Sequence, residues 1–194
     1  GVFRQGQRKD IGVERQMGNR KKRILALSRK YPPSIGGMQL FARDFIRRLE
    51  TVHDVDKIVL GRGQGHLVWF LPYLLASSSL RLSSGRYDLV WLCDGLLAPL
   101  GAILKKAFGV KVGVTVHGLD VTYDRFFYQN LVPGALSALD RVVCVSGNTL
   151  AECLKRGVPE DKCVVITNGI EISGSGGAGD ISGAGEGLEA ILGE

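Results

Sequence analysis

The residues best suited to chemistry in this sequence stand where a buried strand is predicted to end. The stretch from Lys111 to Asp120 reads KVGVTVHGLD, a short β-branched run that ends in a histidine, a glycine and an acid. A buried strand of this kind delivers polar groups to its carboxyl end, which is where open α/β sheets bind ligands. His117 could hydrogen-bond a ligand or stabilise developing charge there. The alternative is that His117 only caps the end of its strand.

A pair of glycines, Gly36 and Gly37, could bring the backbone close to a phosphate. They follow a short apolar run, Ile24 to Leu27, and a loop that reads YPPSI, and they precede a helical pattern. Glycine permits close backbone approach, and the first amides of a helix carry partial positive charge. Because no GxGxxG or Walker signature is present, a flexible turn is the alternative interpretation.

An alternation of strands and helices must position these residues. The apolar runs predict about seven strands, at 24–27, 57–60, 67–70, 87–93, 111–116, 141–145 and 163–166. Helices are predicted at 38–49, 73–82 after Pro72, 96–108 before Gly109, and from Ser146, as the cap, to Gly157. The first helix carries on one face Met38, Phe41, Phe45 and Leu49. An aromatic segment, Tyr123 to Tyr128, is interpreted as a core helix or as a mobile cover over an acceptor site.

This alternation predicts an α/β fold, a doubly wound and mainly parallel sheet with helices on both faces. Crossovers between parallel strands are expected to be right-handed. The carboxyl ends of parallel strands lie along one edge, so the polar residues that follow them should gather there. These residues are Gly36, Gly37, Asp94, His117, Asp120, Ser146 and Asn168.

Composition bounds the organisation of the 194-residue chain. The hydrophobic fraction of 45% suffices for one packed domain, predicted at residues 23–171. The formal net charge of +6 is concentrated in a basic segment, residues 1–22, which is expected to be disordered. Residues 172–194 are rich in glycine and read as a tail or an interdomain linker.

The four cysteines indicate whether a metal is bound and which compartment is favoured, and the apolar runs indicate whether a helix could span a membrane. Cysteines 93, 144, 153 and 163 show no CxxC spacing and no clustering with histidine, so we expect no zinc and no other metal. Free thiols in apolar runs favour a reduced, cytoplasmic setting. No apolar run reaches the ~18 residues that a membrane-spanning helix requires.

Several blocks together resemble the N-terminal domain of a GT-B fold glycosyltransferase of the group 1 or family 4 class, with a Rossmann-like sheet. The likeness runs from Ile24 to Glu171 through YPPSIGGMQ, YDLVWLCDG, VTVHGLD and LDRVVCVSGNTLAECLKRGVPEDKCVVITNGIE. The last block is the most specific, although Glu171 stands where this family commonly has aspartate. The resemblance implies retaining transfer of a sugar from a nucleotide-sugar donor to a lipid, sugar or glycan acceptor, without a cofactor or metal.

The resemblance also implies roles for individual residues. Gly36 and Gly37 match the loop near the donor diphosphate. His117 matches the histidine that contacts the donor sugar near the reacting centre, and Asp120 matches an acidic position close to it. The remaining rim residues match positions that are chiefly structural or peripheral, namely Asp94, Ser146 and Asn168.

Members of the family that the sequence resembles carry a second domain that binds the nucleotide and contains an E-x7-E motif. Glu186 and Glu194 have that spacing, but without the sheet that presents it we interpret them as a coincidence or a remnant. Three hypotheses follow: an acceptor-side domain that is inactive alone, a binding module or split transferase that works with a donor-domain partner chain, and an unrelated nucleotide-binding regulator.

Basic residues allow one further partner. A set on the basic segment and the first helix could attract anionic lipid at the inner face of a membrane, as a peripheral contact: Lys21, Lys22, Arg23, Arg43, Arg47 and Arg48. A solvated face is the alternative. Nucleic acid is not expected, because no aromatic residues are interleaved with the basic ones.

Overall fold

The computed structural model describes residues 20–61, 64–118, 120 and 126–167. Several predictions therefore lie outside the described residues. They concern the basic segment up to residue 19, the glycine-rich tail, Tyr123, Asn168, Glu171, Glu186 and Glu194. Between Phe126 and Tyr128 only the backbone is described, and it is helical, so the predicted packing of these rings stays a prediction.

Six parallel strands form one sheet in the order β2-β1-β3-β4-β5-β6. Their bounds are β1 Arg23–Ser28, β2 Asp54–Val59, β3 Leu89–Leu92, β4 Lys111–Val116, β5 Arg141–Cys144 and β6 Cys163–Val165. Within the described residues, five α-helices with complete bounds lie between them: α1 Gly37–Val52, α2 Leu67–Ser84, α3 Ala98–Phe108, α4 Phe126–Ala138 and α5 Gly147–Lys155. The predicted doubly wound α/β class is confirmed.

The predicted strand at Leu67–Phe70 is wrong, because these residues form the start of α2. This accounts for six strands among the described residues where about seven were expected. A run of four apolar residues fits a strand or a buried helix equally well, and the helix is the outcome here because Phe70, Leu74 and Leu82 face the core at helical spacing. Pro72 lies on the exposed side of the second turn, and the helix continues through it.

Helices cover both faces of the sheet, since successive strand residues point to opposite sides. In β1, Ile24 and Ala26 pack in the layer that contains α1. Leu25 and Leu27 pack in the opposite layer, with side chains from α2 to α5. This two-sided burial explains why the strands read as continuous apolar runs. In α1 the buried stripe is Ala42, Ile46 and Leu49, whereas the predicted Met38, Phe41 and Phe45 are only half-buried.

The structure contains the predicted helix boundaries at Ser146 and Gly109, and the predicted close packing of a helix on the sheet at Gly101. The Ser146 hydroxyl accepts a hydrogen bond from the Thr149 backbone N–H at 3.2 Å and caps α5. Gly109 ends α3 with a left-handed backbone, φ 65°. A Cβ at Gly101 would lie 2.6 Å from the Leu92 side chain, so α3 can approach β3 this closely only with glycine there.

The strand order places a topological switch point beside β1. From β1 the chain crosses to β2 on one side and then returns to β3 on the other, so β1 lies between them. In doubly wound sheets the crevice for ligands opens at the carboxyl ends of strands at such a point. Within the described ranges, no helix is both long and apolar enough to cross a bilayer.

Candidate functional site

Three strands deliver charged or polar side chains to the carboxyl edge of the sheet. Arg29 follows β1, Asp94 follows β3, and His117 and Asp120 follow β4. Since β1, β3 and β4 are neighbours, these four residues lie together at the switch point and form one cluster. The sequence predicts this position for Asp94, His117 and Asp120. Arg29 was not among the predicted site residues.

Asp120 is buried and organises the backbone around it. Its Oδ2 accepts hydrogen bonds from the backbone N–H groups of Gly95 and His117, each at 3.0 Å. Its own N–H donates to the His117 carbonyl at 2.8 Å. A Cβ at Gly95 would lie only 3.0 Å from the Asp120 Cβ, so the two strand ends are in close contact. Asp120 thereby fixes the segment that carries His117 to the end of β3.

Arg29 supplies the positive charge that this cluster needs. Its Nε donates to Asp94 Oδ1 at 2.7 Å, and its Nη2 lies 3.7 Å from Asp120 Oδ1. All three side chains are buried. Burial raises the pKa of Asp94 to about 6, the charge of Asp120 adds to this rise, and Arg29 opposes it. The interpretation of Asp94 as chiefly structural or peripheral stays a prediction.

Two buried polar atoms of the cluster, Asp94 Oδ2 and His117 Nε2, have no hydrogen-bond partner among the described residues, and His117 Nε2 belongs to an uncharged ring that can donate or accept. The His117 ring is half-buried and packs edge-on against Phe41, with the ring centroids 4.9 Å apart. Among the described residues no group hydrogen-bonds its Nε2, which is buried. Burial lowers the pKa of His117, against the charge of Asp120 and a hydrogen bond with the Cys93 backbone. The imidazole is therefore neutral at pH 7 and can hydrogen-bond a ligand through Nε2.

The start of α1 lies at the same edge and is linked to His117 through Phe41. Gly36 precedes the helix and Gly37 is its first residue. A Cβ at Gly36 would lie 2.5 Å from the Gln39 side chain, whereas one at Gly37 would enter open space. Within the described part of the chain, no side chain caps this helix and its first turn contains no acidic residue. Its first amides are thus suited to an anion.

Other predicted features play structural parts or fall outside this cluster. Ser146 caps α5, and Asn168 is outside the described residues. Across the described ranges, no group of three or more His, Cys, Asp or Glu side chains could hold a metal ion. The cysteines are free thiols, and the Cys144 and Cys153 sulfurs lie 3.9 Å apart in the core.

Arg29 is the residue that sequence reasoning missed. It occupies the same kind of position as His117, directly after a buried strand, and this position was the available signal. An arginine is exposed in most proteins unless a partner is identified for it, so the residue type alone does not single out Arg29. Its partners follow β3 and β4, 65 and 91 residues further along the chain, and adjacency of those strands is not visible in the sequence.

Known proteins resemble this chain in sequence and in fold. A sequence profile of Glycosyltransferase Family 4 matches residues 35–173. No curated protein matches the chain. The structure of Anabaena HepE in complex with UDP and glucose superposes with a TM-score of 0.55 at 15% identity, covering 77% of this chain and 45% of that one.

Two further solved structures show how widely the fold is shared. The lipopolysaccharide outer core galactosyltransferase WaaB, in its apo form, gives a TM-score of 0.59 at 12% identity, covering 78% of this chain and 47% of that one. A UDP-N-acetylglucosamine 2-epimerase gives 0.51 at 15%, covering 75% and 48%. This chain spans just under half the length of each of these proteins, and identities this low establish the fold alone.

Proposed function

Because this chain belongs to Glycosyltransferase Family 4, we propose that it is the N-terminal, acceptor-side domain of a retaining glycosyltransferase. The complete enzyme transfers a sugar from a nucleotide-sugar donor to a lipid, sugar or glycan acceptor. Binding of UDP and glucose by Anabaena HepE, which has the same fold, supports a nucleotide-sugar donor. We expect no metal or cofactor in the reaction.

The observation that carries this proposal is the buried Nε2 of His117 at the switch point, which has no hydrogen-bond partner within the part of the chain that the structure describes. A buried polar atom without a partner costs free energy, on the order of 1–3 kcal/mol, unless a ligand or water satisfies it. Here that atom lies at the crevice where doubly wound sheets bind ligands. The His117 ring also contacts Phe41, which lies near the start of α1. A hydroxyl group of the transferred sugar would satisfy Nε2.

Each proposed role follows from what retaining transfer requires. The bond between the anomeric carbon and the donor diphosphate breaks, the acceptor oxygen bonds to that carbon on the same face, and the proton of the acceptor hydroxyl passes to the departing diphosphate. The departing diphosphate needs positive charge, which the first amides of α1 at Gly36 and Gly37 supply. His117 holds a sugar hydroxyl near the reacting carbon. Asp120 has protein donors on Oδ2 and Arg29 near Oδ1, so we assign it to positioning His117.

The donor nucleotide requires more surface than this sheet edge offers. We propose that a second, C-terminal donor-binding domain completes the cleft, because the matched part of this chain covers only 45% and 47% of two solved proteins of this fold. That domain either continues this polypeptide or belongs to a separate partner chain, as in a split transferase. If it is lacking altogether, the domain is a non-catalytic binding module.

An activity assay tests the proposal and separates these cases. The full chain is incubated with UDP-, GDP- and ADP-sugars and mixed acceptors, alone and together with the donor domain of a Family 4 enzyme, and nucleoside diphosphate release is measured. We expect turnover only with the donor domain present, and a product with the donor's anomeric configuration. Turnover by the chain alone would overturn the need for a second domain, and an inverted product would overturn retention.

Substitution of His117 identifies the site in the same assay. His117→Ala should lower turnover on the order of 100-fold, since a group that orients the reacting centre is lost. His66→Ala is the matched control, because His66 is exposed in the short turn before α2, outside the cluster. Equal losses in the two variants would contradict a site at His117.

Peripheral membrane contact on the cytoplasmic side is a second proposal, and the outer face of α2 supports it. Val68, Trp69, Tyr73 and Leu80 are between 59% and 81% exposed on one side of this helix. Aromatic and aliphatic side chains in such a row suit the interface of a bilayer. The predicted basic set contributes less, because Arg23 pairs with Asp56 and Arg43 pairs with Asp44.

Vesicle flotation tests membrane contact. The full chain should float with vesicles that contain anionic lipid, and Trp69→Ala combined with Tyr73→Ala should abolish this. Ile103→Ala is the control, since Ile103 is exposed on a different helix, α3. Failure of the unmodified chain to float at low salt would remove the proposal.

A further inference from the structure

We propose that Arg29 is a positioning residue that holds His117 in place through Asp120. The role rests on the proposed function, since His117 is the group that it would orient toward the transferred sugar. Arg29 precedes residues 35–173, the part of the chain that matches the family profile. Its assignment comes from the geometry of the sheet edge.

A hydrogen bond and a longer ionic contact lead from Arg29 to the two carboxylates, and hydrogen bonds lead from Asp120 to His117. The guanidinium donates from Nε to Asp94 at 2.7 Å and lies 3.7 Å from Asp120 Oδ1 through Nη2. The other oxygen of Asp120 accepts the His117 backbone N–H at 3.0 Å. The same oxygen accepts the Gly95 N–H, so the ends of β3 and β4 are held by one carboxylate. A displacement of Asp120 would therefore move His117.

The buried carboxylates explain why Asp120 needs Arg29. Asp94 and Asp120 are almost fully inaccessible to water, and the charge of Asp120 makes ionisation of Asp94 less favourable. One guanidinium lies against both and compensates them together. Without it the carboxylates would repel each other or draw in water or protons, and the two hydrogen bonds of Asp120 Oδ2 would be disturbed.

The shape of arginine matters as well as its charge. A guanidinium is planar and directs several N–H groups at once, so Nε can serve Asp94 while Nη2 faces Asp120. A lysine ammonium is a compact charge at the end of a flexible stem. Arg29→Lys should therefore keep the charge of the cluster and loosen its geometry.

Nuclear magnetic resonance of the full chain tests this role without catalysis. In Arg29→Met the backbone amide signals of His117 and Gly95 should shift, and the pKa of His117 should rise, because the charge of Arg29 holds it down. Arg29→Lys should give smaller changes in the same signals. The control is Arg23→Met, which removes a different Arg–Asp pair at the opposite end of β1 and should leave these signals unchanged.

A double variant, Arg29→Met with Asp94→Asn, keeps the test decisive if Arg29→Met does not fold. It restores charge balance while still removing the guanidinium, so the His117 signals should remain displaced. A folded Arg29→Met or double variant whose His117 and Gly95 amides and His117 pKa match the unmodified chain would overturn the proposal.

The reconstituted transfer assay adds a readout for the reaction. Arg29→Met should lower kcat on the order of 100-fold and change KM little, since orientation is lost. Displaced His117 signals without any transfer activity in the unmodified assembly would leave the positioning role intact and refute the proposed function instead. Unchanged kcat in Arg29→Met would overturn the role of Arg29.

Discussion

The two edges of the sheet each hold an arginine that pairs with aspartate, and they differ in burial. At the carboxyl edge the Arg29 and Asp94 side chains are 9% and 1% exposed. At the amino edge the Arg23 and Asp56 side chains are 47% and 37% exposed, although their contact is also short, at 3.0 Å. Arg23 lies over the ring of Tyr87, whose hydroxyl donates to Asp56.

The difference indicates which edge carries function. An exposed pair keeps most of its hydration, so it costs little to form and contributes little. A buried cluster of three charges is expensive to dehydrate and is weak evidence for a stabilising role. It lies at the switch point beside an imidazole nitrogen for which the described ranges contain no partner, and this favours a role in organising a ligand site.

The largest difference in stability between the two edges is expected when Arg29 and Arg23 are each replaced. Arg29→Met should lower the free energy of unfolding by about 3–5 kcal/mol, because two carboxylates remain buried without their counter-charge. Arg23→Met should change it little, since Asp56 can be solvated and keeps its bond from Tyr87. Urea denaturation at pH 7 measures both. Similar losses at the two edges would contradict the distinction.

The dependence of stability on pH should have opposite signs at the two edges. The pKa of Asp94 is about 6 in the folded state, above its unfolded value. Between about pH 4 and pH 6 the folded state therefore holds a proton that the unfolded state has lost. The Asp94 contribution should fall on the order of 2 kcal/mol as pH rises through this range.

Asp56 provides the comparison. Hydrogen bonds from Tyr87 and Arg23 lower the pKa of Asp56, so its contribution is present above its unfolded pKa and is lost as pH falls through the folded value. Unfolding free energies across pH for Asp94→Asn, Asp56→Asn and the unmodified chain measure both trends. The same sign for the two aspartates would show that burial does not govern the carboxyl edge.

A smaller difference in stability is expected when one glycine at each edge is replaced by alanine. A Cβ at Gly95 would lie 3.0 Å from the Asp120 Cβ, which is buried and held by hydrogen bonds. A Cβ at Gly85 would lie 3.0 Å from Arg23 Nη1, the far end of an exposed side chain that can move. Gly95→Ala should cost about 1–3 kcal/mol by overpacking, and Gly85→Ala should cost less. Thermal unfolding compares them, and an equal cost would indicate that the carboxyl edge can relax.

The sequence predicted those features that local signals determine. Strand ends at Asp94 and His117, the Ser146 cap and the helix end at Gly109 each depend on a few neighbouring residues, and each is confirmed. The α/β class follows from their alternation. The start of α2 was predicted wrongly, because four apolar residues before Pro72 carry no period that distinguishes strand from helix.

The interior of the candidate site was beyond sequence reasoning. Arg29 and Asp120 come together only because β1, β3 and β4 are neighbours, and strand order is a property of the whole fold. His117 and Asp120 could be placed at one edge from the sequence. Only the structure shows that Asp120 accepts a hydrogen bond from the His117 backbone N–H. Only the structure shows, too, that His117 Nε2 lacks a partner among the described residues.

A comparison of two histidines, His53 and His117, tests most directly that the carboxyl edge is the ligand site. His53 at the amino edge resembles His117: burial lowers the pKa of each, and each has a buried ring nitrogen without a partner among the described residues. The imidazole signals of the full chain are followed by nuclear magnetic resonance while UDP-glucose is added to millimolar concentration. We predict a saturable shift of His117 and of the Gly36 and Gly37 amides, with His53 unchanged. A shift at His53, or none at His117, would contradict a sugar-nucleotide site at this edge.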